Sequence, residues 1–137
     1  MAASSPAMSP SDMPVEEALD RATGPRRAEA DTLLALFSEL IDAPPVVWAG
    51  RIIGFGEFEY RYESGHGGRA PVLAFATGPR QHTIYLVNDF AERWPELLAE
   101  LGPHRSSTVC LYLTRLNTVD LGVLRQLLEL TLAETPH

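Results

Sequence analysis

A cysteine and a histidine close together in the sequence could supply nucleophilic chemistry. Cys110 is the only cysteine of the chain, and His104 precedes it by six positions. A thiolate beside an imidazole is an effective nucleophile, but it needs an exposed, electropositive setting. Cys110 lies instead in the apolar run 109–113, and free cysteine is among the most buried residue types. A structural role is the favoured interpretation, and an enzyme that uses Cys110 with His104 is the alternative.

Three glutamates in a strand-like segment could bind a hard cation. Glu57, Glu59 and Glu63 alternate with aromatic residues along segment 57–63. Iron and other hard cations accept carboxylate oxygens, but such sites need ligands that converge from several elements. Arg61 stands among the glutamates and can pair with them, so a solvated charged face is the favoured interpretation. The three glutamates are the metal candidates, and no residue is assigned as a metal ligand.

Aromatic residues in the same region could form the wall of a ligand site. Tyr60 and Tyr62 share one face of the segment, and Trp48 precedes them. Large aromatic side chains dominate protein cores, so core packing is favoured, but buried tyrosine hydroxyls need a partner. If the protein has a ligand site, we expect it where Trp48, Tyr60, Tyr62, Arg80 and His104 converge.

Apolar periodicity predicts the helices that would position these residues. Apolar side chains recur at three- and four-residue spacing, which gives each long helix one buried stripe. The last helix has Thr118 as its predicted cap and Asp120 in its first turn. Pro95 is tolerated early in the third helix. The predicted helices cover residues 15–22, 26–42, 89–101 and 119–133.

The strands are predicted from alternation and from short apolar runs. Segment 57–63 alternates strictly, which is typical of a half-buried strand, whereas 108–114 is apolar on both faces and is predicted to be central. Short turns between strands indicate antiparallel pairing, and helices near the chain ends pack on the sheet. We therefore expect an α+β fold with an antiparallel sheet of about four to five strands. The predicted strands cover residues 46–53, 57–63, 72–76, 83–87 and 108–114.

Length and charge limit the class of protein. Residues 15–137 are predicted to form a single domain, and residues 1–14 a disordered tail. The net charge is −7 over 137 residues, so neither nucleic acid nor an anionic membrane surface is an expected partner. One cysteine cannot form an internal disulfide, and no leader or membrane-spanning run stands out. A cytoplasmic location is expected.

Four stretches of the sequence, in order and spacing, resemble the YdhG-like domain family. This is a widespread bacterial family of unknown function. The resemblance implies a compact α/β sandwich, and it implies iron as a ligand because some similar proteins are described as frataxin-like iron chaperones. The matching stretches are Trp48 with Ile53-Gly54-Phe55-Gly56 and Tyr60-x-Tyr62-x-Ser64-Gly65, Phe75 with Tyr85-Leu86, Leu101-Gly102-x-His104 with Cys110-Leu111-Tyr112, and Arg115-Leu116-x-x-Val119-Asp120-Leu121.

The chain departs from that family at its basic positions. Pro103 and Thr108 stand where the family usually carries lysines, and Arg80 is displaced from the basic stretch that follows Phe75 in the family. If the family uses this basic rim to hold an anion, we expect this chain to hold it poorly.

The resulting hypothesis is a small, non-catalytic, cytoplasmic binding or accessory domain. Its partner is an unknown small molecule or protein, no cofactor is assigned, and metallochaperone activity with iron is the version that the resemblance implies. The first alternative is the enzyme that uses Cys110 with His104. The second is a self-associating structural protein, a homodimer for example, because the last helix has apolar positions beyond one face, Val123 and Leu130 among them.

Overall fold

The computed structural model describes residues 9–61, 65 and 67–135 of the chain. Within this part the helices contribute buried side chains to one apolar cluster. None of the described helices is long and apolar enough to cross a membrane. The helices are α1 (Val15–Leu19), α2 (Pro25–Leu40), α3 (Phe90–Arg93), α4 (Pro95–Leu101) and α5 (Leu121–Glu134).

The strands form a six-stranded antiparallel sheet in the order β1-β2-β5-β6-β8-β7, and β3 pairs with β4 in a separate hairpin. The α+β prediction is confirmed, with more strands than expected. The strands are β1 (Pro45–Trp48), β2 (Ile52–Phe55), β3 (Phe58–Arg61), β4 (Gly67–Ala70), β5 (Leu73–Thr77), β6 (His82–Tyr85), β7 (Arg105–Ser106) and β8 (Cys110–Leu113).

The two faces of the large sheet differ in what covers them. Alternate side chains of each strand point to opposite faces, and those on the inner face, such as Ile53, Phe75 and Ile84, are fully buried against the helices. The outer face carries a smaller apolar cluster around Trp48 and Ala74, to which no described helix contributes. The inner face holds the main core, and the outer face is left for other contacts.

Segment 46–53 is two strands rather than the single extended segment that the sequence predicts. Ala49 and Gly50 both have positive φ, 55° and 75°, and the Arg51 amide donates to the Trp48 carbonyl over 3.1 Å. This geometry is that of a tight hairpin turn, whose usual signature is Asn-Gly. The sequence Ala-Gly lacks this signature, and alanine seldom adopts positive φ. The sequence pattern therefore does not predict the turn.

The predicted helix over 89–101 is interrupted at Trp94. Its φ and ψ are −127° and 51°, and α4 starts anew at Pro95. Steric contact with a proline ring disfavours the helical conformation at the preceding residue. The continuous-helix prediction is therefore wrong, although the chain is helical on both sides of the break.

The cap of α5 also differs from the prediction. The Asp120 Oδ1 accepts a hydrogen bond from the Val123 amide over 3.1 Å, so Asp120 rather than Thr118 caps the helix. Thr118 instead approaches Gly102 at the end of α4: a Cβ on Gly102, where φ is 115°, would lie 2.4 Å from the Thr118 carbonyl oxygen. Only glycine suits that position, because it combines positive φ with close backbone approach.

Strand β8 pairs with β6 on one side and with the two-residue edge strand β7 on the other, so it is an interior strand, one position from the edge of the sheet. Its apolar run alternates: Leu111 and Leu113 are fully buried, whereas Cys110 and Tyr112 on the outer face are half-buried. The apolar residues on the two faces therefore differ in burial, because no described helix covers this part of the outer face.

Residues at the start of the described chain extend the sheet at β1. Pro10 bridges to Trp48, and the Ser11 amide donates to the Val47 carbonyl over 2.9 Å. The final residues of the segment predicted to be a tail thus hydrogen-bond to the domain.

Candidate functional site

A polar cluster lies on the inner face, between α2 and the sheet. Thr77 and His82 are cross-strand partners in β5 and β6, and the Thr77 Oγ1 is 2.7 Å from the His82 Nδ1. The His82 Nε2 is 3.1 Å from one carboxylate oxygen of Glu29, and the Arg115 Nε donates to the other oxygen over 2.8 Å. Each polar side chain of this polar cluster therefore has a partner.

The electrostatics of the polar cluster fix its proton positions. Burial lowers the pKa of His82, against the opposing effect of Glu29, so the ring is neutral at pH 7. Burial opposes ionisation of Glu29, but hydrogen bonds from His82, Arg115 and the Leu116 backbone outweigh it and lower its pKa. An ionised carboxylate only accepts, so the His82 Nε2 donates to Glu29 and its Nδ1 accepts from the Thr77 hydroxyl.

This donor–acceptor order is also that of a hydroxyl activated for nucleophilic attack. Such a nucleophile must reach its substrate, however, and His82 is 0% exposed and Thr77 only 3%. The polar cluster is therefore best described as a satisfied buried network that ties α2 to β5, β6 and the segment after β8.

Trp48 packs on the outer face of the sheet, in the smaller apolar cluster. It is 1% exposed, and a Cβ built on Gly54 of the neighbouring strand would lie 2.8 Å from the indole ring and 2.6 Å from Pro71. Glycine at position 54 therefore makes room for the indole. Trp48 serves as a packing residue, as the favoured interpretation of the aromatics expects. For Tyr60 that interpretation is wrong, because this residue is 37% exposed.

A cavity of about 390 Å³ lies at the end of the sheet where β5 begins and β6 ends, between the outer-face residues Ile52 and Ala74 and the C-terminal part of α5. Its volume lies at the lower end of the range for small-molecule sites. Thr131 of α5 also lines it. The apolar part of the wall comes from both sheets and from the segments after β6 and before β8, and includes Ile52, Phe58, Pro71, Ala74, Val87 and Val109.

The hydroxyl of Thr131 is the unusual feature of the cavity. Thr131 is 4% exposed, and its Oγ1 has no hydrogen-bond partner within the described residues. A threonine in a helix ordinarily donates to a carbonyl one turn back, and buried polar groups without partners are rare in folded proteins. A ligand with a hydrogen-bonding atom would satisfy this hydroxyl.

A second cleft, of about 400 Å³, adjoins the cavity and is polar. Arg21, Arg51 and Arg80 line it, and the arginine cleft, as we call it, surrounds the turn between β5 and β6. Tyr85 lines both the cavity and the arginine cleft. Burial raises the pKa of Tyr85, with a further contribution from Cys110, so its hydroxyl remains a hydrogen-bond donor.

The arginines of the cleft differ from the others in their partners. All 11 basic residues of the chain are arginines. Among those whose side chains are described, five pair with carboxylates: Arg27, Arg69, Arg93, Arg115 and Arg125.

The five described arginines without such a partner all lie around the β5–β6 turn. Arg21, Arg51 and Arg80 line the arginine cleft. Arg26 donates to the Pro79 carbonyl over 3.3 Å, and Arg105 donates to the Gln81 side chain. No acidic residue is among the described residues that line the cleft. Positive charge is therefore concentrated here in a protein that is acidic as a whole.

The two residues of the enzyme hypothesis lie in different surroundings. Cys110 is half-buried on the outer face, paired with Tyr85, and its amide donates to Ser107. The His104 Nδ1 is 2.8 Å from the Gly102 carbonyl oxygen, and His104 lines a separate cleft with Tyr112. No hydrogen bond joins the thiol to the imidazole in the described structure, so the hypothesis gains no geometric support.

The metal candidates are divided between the described and undescribed parts of the chain. Glu57 forms an ion pair with Arg69 at 3.3 Å, and Glu59 lies across from Arg69 in the β3–β4 register. Glu63 lies outside the described residues. The described side chains include no group of three or more potential metal ligands. Iron binding stays a prediction, which calorimetry with ferrous iron can check on the wild type and on a variant with all three glutamates changed to glutamine.

The residues predicted to converge on a ligand lie apart. Tyr60, Arg80 and His104 line three separate clefts, and Trp48 is buried. Tyr62 lies outside the described residues. Of the members of the predicted set that the structure describes, only Arg80 lies in a cleft that adjoins the cavity.

The sequence reasoning missed the residues that define the cavity and the cleft. Arg21 and Arg51 lie in turns far apart in the sequence, and Thr131 sits within a leucine-rich stripe. For the polar cluster, one signal was present in the sequence. His82 occupies an inward position of an alternating strand, and a buried polar side chain requires a hydrogen-bond partner. The expectation that the chain holds an anion poorly was based on positions 80, 103 and 108. It did not include Arg21 and Arg51, which the fold places beside Arg80.

Compared with models of known protein families, with curated proteins and with solved structures, the chain gives no match in any of the three. The observed architecture is an α+β domain with a cavity of about 390 Å³ at one end of its sheet. Membership of the YdhG-like family stays a prediction from the sequence motifs.

Proposed function

We propose that this protein is a non-catalytic binding domain of the YdhG-like kind, whose ligand is a small, largely apolar molecule with a hydrogen-bonding group. The observation that carries the proposal is the apolar cavity of about 390 Å³, whose wall includes Thr131, a buried residue whose hydroxyl has no partner among the described residues. Sites for small molecules have this composition, with apolar walls and a few placed polar groups.

The proposal can be tested with decanol, a neutral apolar probe that carries one hydroxyl. Ligand-observed NMR is expected to detect decanol binding to the wild-type protein. Ala74→Phe should abolish binding because Ala74 lines the cavity and the added ring fills it. Ala133→Phe is the matched control, since Ala133 is exposed on α5, and it should leave binding unchanged. Equal binding by the wild type and by Ala74→Phe would refute the proposal, provided that circular dichroism shows both to be folded.

Sedimentation distinguishes a small ligand from a second copy of the chain. Val123 is buried in the core, whereas Leu121 and Leu130 of α5 are each more than a third exposed. The proposal predicts a sedimentation coefficient that is independent of decanol. A dimer that decanol disperses would indicate that another copy occupies the cavity, and would overturn the proposal.

A further inference from the structure

We propose that the ligand is an amphipathic anion, whose apolar body lies in the cavity and whose carboxylate or phosphate monoester lies in the arginine cleft. This inference rests on the proposed function, because it assigns the chemical class of the molecule that fills the cavity.

The cavity and the arginine cleft are adjacent along the outer face. Ala74 lines the cavity and Ala76, two residues further along the same face of β5, lines the cleft. At the start of β2, Ile52 lines the cavity, and Arg51, which precedes it, lines the cleft. Tyr85 lines both, so one molecule can extend from the cleft into the cavity past its ring.

The dimensions suit an elongated molecule. Thr83 lines the cleft and Val87 lines the cavity. An extended chain rises about 3.3 Å per residue, so these two positions are about 13 Å apart. A compact inorganic anion would occupy only the cleft, and a compact apolar molecule only the cavity.

Charge determines which end of the site receives the anion. Arg21, Arg51 and Arg80 have no carboxylate partner among the described residues, and guanidinium groups bind carboxylates and phosphates through paired hydrogen bonds. The acidic residue of the cavity wall, Glu134, lies at the other end and is neutralised by Arg93, which donates to both of its carboxylate oxygens. An anion is therefore attracted to the arginine end.

Thr131 adds a requirement at the far end. Thr131 lies with Val87 in the wall of the cavity, away from the arginine cleft. A plain alkyl chain would leave the hydroxyl unpaired, whereas a hydroxyl or carbonyl near the end of the chain would bind it. The ligand that best fits the whole site carries an oxyanion at one end and a neutral polar group at the other.

Four probes with the same chain length test the inference: decanol, decanoate, decyl phosphate and ω-hydroxydecanoate. Decanoate or decyl phosphate is expected to bind the wild type at least about tenfold more tightly than decanol, because several charged hydrogen bonds are added. Whichever of the two binds more tightly identifies the head group as carboxylate or phosphate. The affinity of ω-hydroxydecanoate should exceed that of decanoate.

The matched variants are Arg51→Gln with Arg80→Gln, and Arg125→Gln as a control on α5. Each exposed arginine is expected to contribute about two- to fivefold, so the double variant should lose most of the preference for the anion and keep its affinity for decanol. The control should change neither. Added salt should weaken decanoate binding more than decanol binding, since charges are screened beyond about 8 Å at physiological ionic strength.

The outcomes separate the two proposals. If decanol and decanoate bind equally, and the double variant changes neither, the anion inference is overturned and the apolar cavity stands. If no probe binds, the proposed function itself fails. If inorganic phosphate binds the cleft but does not compete with decanoate, the two sites are independent, and the inference of a single spanning ligand is overturned.

Discussion

The polar cluster beneath α2 differs from the cavity and the arginine cleft in whether its polar side chains have hydrogen-bond or ion-pair partners. Beneath α2, hydrogen bonds join Thr77 to His82, His82 to Glu29, and Glu29 to Arg115. Every side chain of the polar cluster therefore has a partner. In the wall of the cavity, Thr131 is buried without a partner in the described structure. The arginines of the adjoining cleft have no carboxylate partner among the described residues. The first arrangement stabilises the fold, whereas the second leaves binding capacity for another molecule.

The two arrangements have different effects on the free energy of unfolding. A buried polar group with no partner destabilises the native state by about 1–3 kcal/mol. A protein that satisfies four polar side chains in one place and leaves a hydroxyl unsatisfied in another is consistent with a site that is completed by a ligand. Departures from full satisfaction are expected at functional sites.

The largest effect is expected from opening the polar cluster. Glu29→Ala should lower the free energy of unfolding by about 2–3 kcal/mol, because it leaves the His82 ring and Arg115 without their acceptor. Denaturant titration measures the loss. Arg51→Ala on the outer face should change stability by less than about 0.5 kcal/mol. Equal effects of the two substitutions would contradict the contrast between the two regions.

A smaller loss is expected from adding one methyl group to the outer face. Gly54→Ala would place a Cβ 2.6 Å from Pro71 and 2.8 Å from the Trp48 ring. Overpacking of this kind destabilises proteins by about 1–3 kcal/mol. Gly78→Ala is the control, since a Cβ there would meet only the Gln81 carbonyl oxygen at 3.9 Å. Thermal denaturation of the two variants should separate them, and a neutral Gly54→Ala would show that the indole does not need this space.

As pH is lowered from 7, protonation of His82 is expected to cause the first loss of stability. Its folded-state pKa lies below the ordinary value of 6.5, so the unfolded chain takes up a proton that the folded chain does not. The contribution of neutral His82 to the free energy of unfolding is fully present above pH 6.5. It is lost as pH falls below 6.5 towards the folded-state pKa of His82. Glu29, with a pKa lowered from 4.5, adds a second loss as pH falls below 4.5.

His82→Gln provides the control for the pH prediction. It should remove the decline that begins at pH 6.5 and keep the one that begins near pH 4.5, when unfolding free energies are measured by denaturant titration across this range. An unchanged decline between pH 6.5 and 5 in this variant would assign the effect to another group.

The smallest effect on stability is expected from removing the unsatisfied hydroxyl. Thr131→Val keeps the shape of the side chain and should raise the free energy of unfolding by up to about 1 kcal/mol. The same variant should bind ω-hydroxydecanoate about threefold to tenfold more weakly and bind decanoate equally well. Lower stability in Thr131→Val would indicate that the hydroxyl contributes to the fold rather than to ligand binding.

Much of the fold was predictable from the sequence because its signals are local. The stripe of α2 and the alternation of β3 depend on residues a few positions apart, and both elements lie close to where they were predicted. The break at Trp94 and the turn at Ala49 were missed, since each depends on the conformation of one residue rather than on a pattern over many. The position of β8 beside an edge strand depends on pairing with β7, which no local pattern specifies.

The candidate site was largely unpredictable for a related reason. Arg80 was identified, but Arg21 and Arg51 join it only through the packing of α1 and the β1–β2 turn against the same end of the sheet. Whether a threonine hydroxyl in a helix has a partner depends on distances that a sequence does not contain. Glu29 and His82 are likewise 53 positions apart.

Local sequence patterns were enough to specify an α+β domain with an antiparallel sheet, because periodicity and turn residues encode how each segment buries its apolar face. The tertiary structure alone decided which charges find partners and which remain available. Ion pairs and hydrogen bonds act over a few ångströms, and the folded chain brings together residues that the sequence keeps far apart.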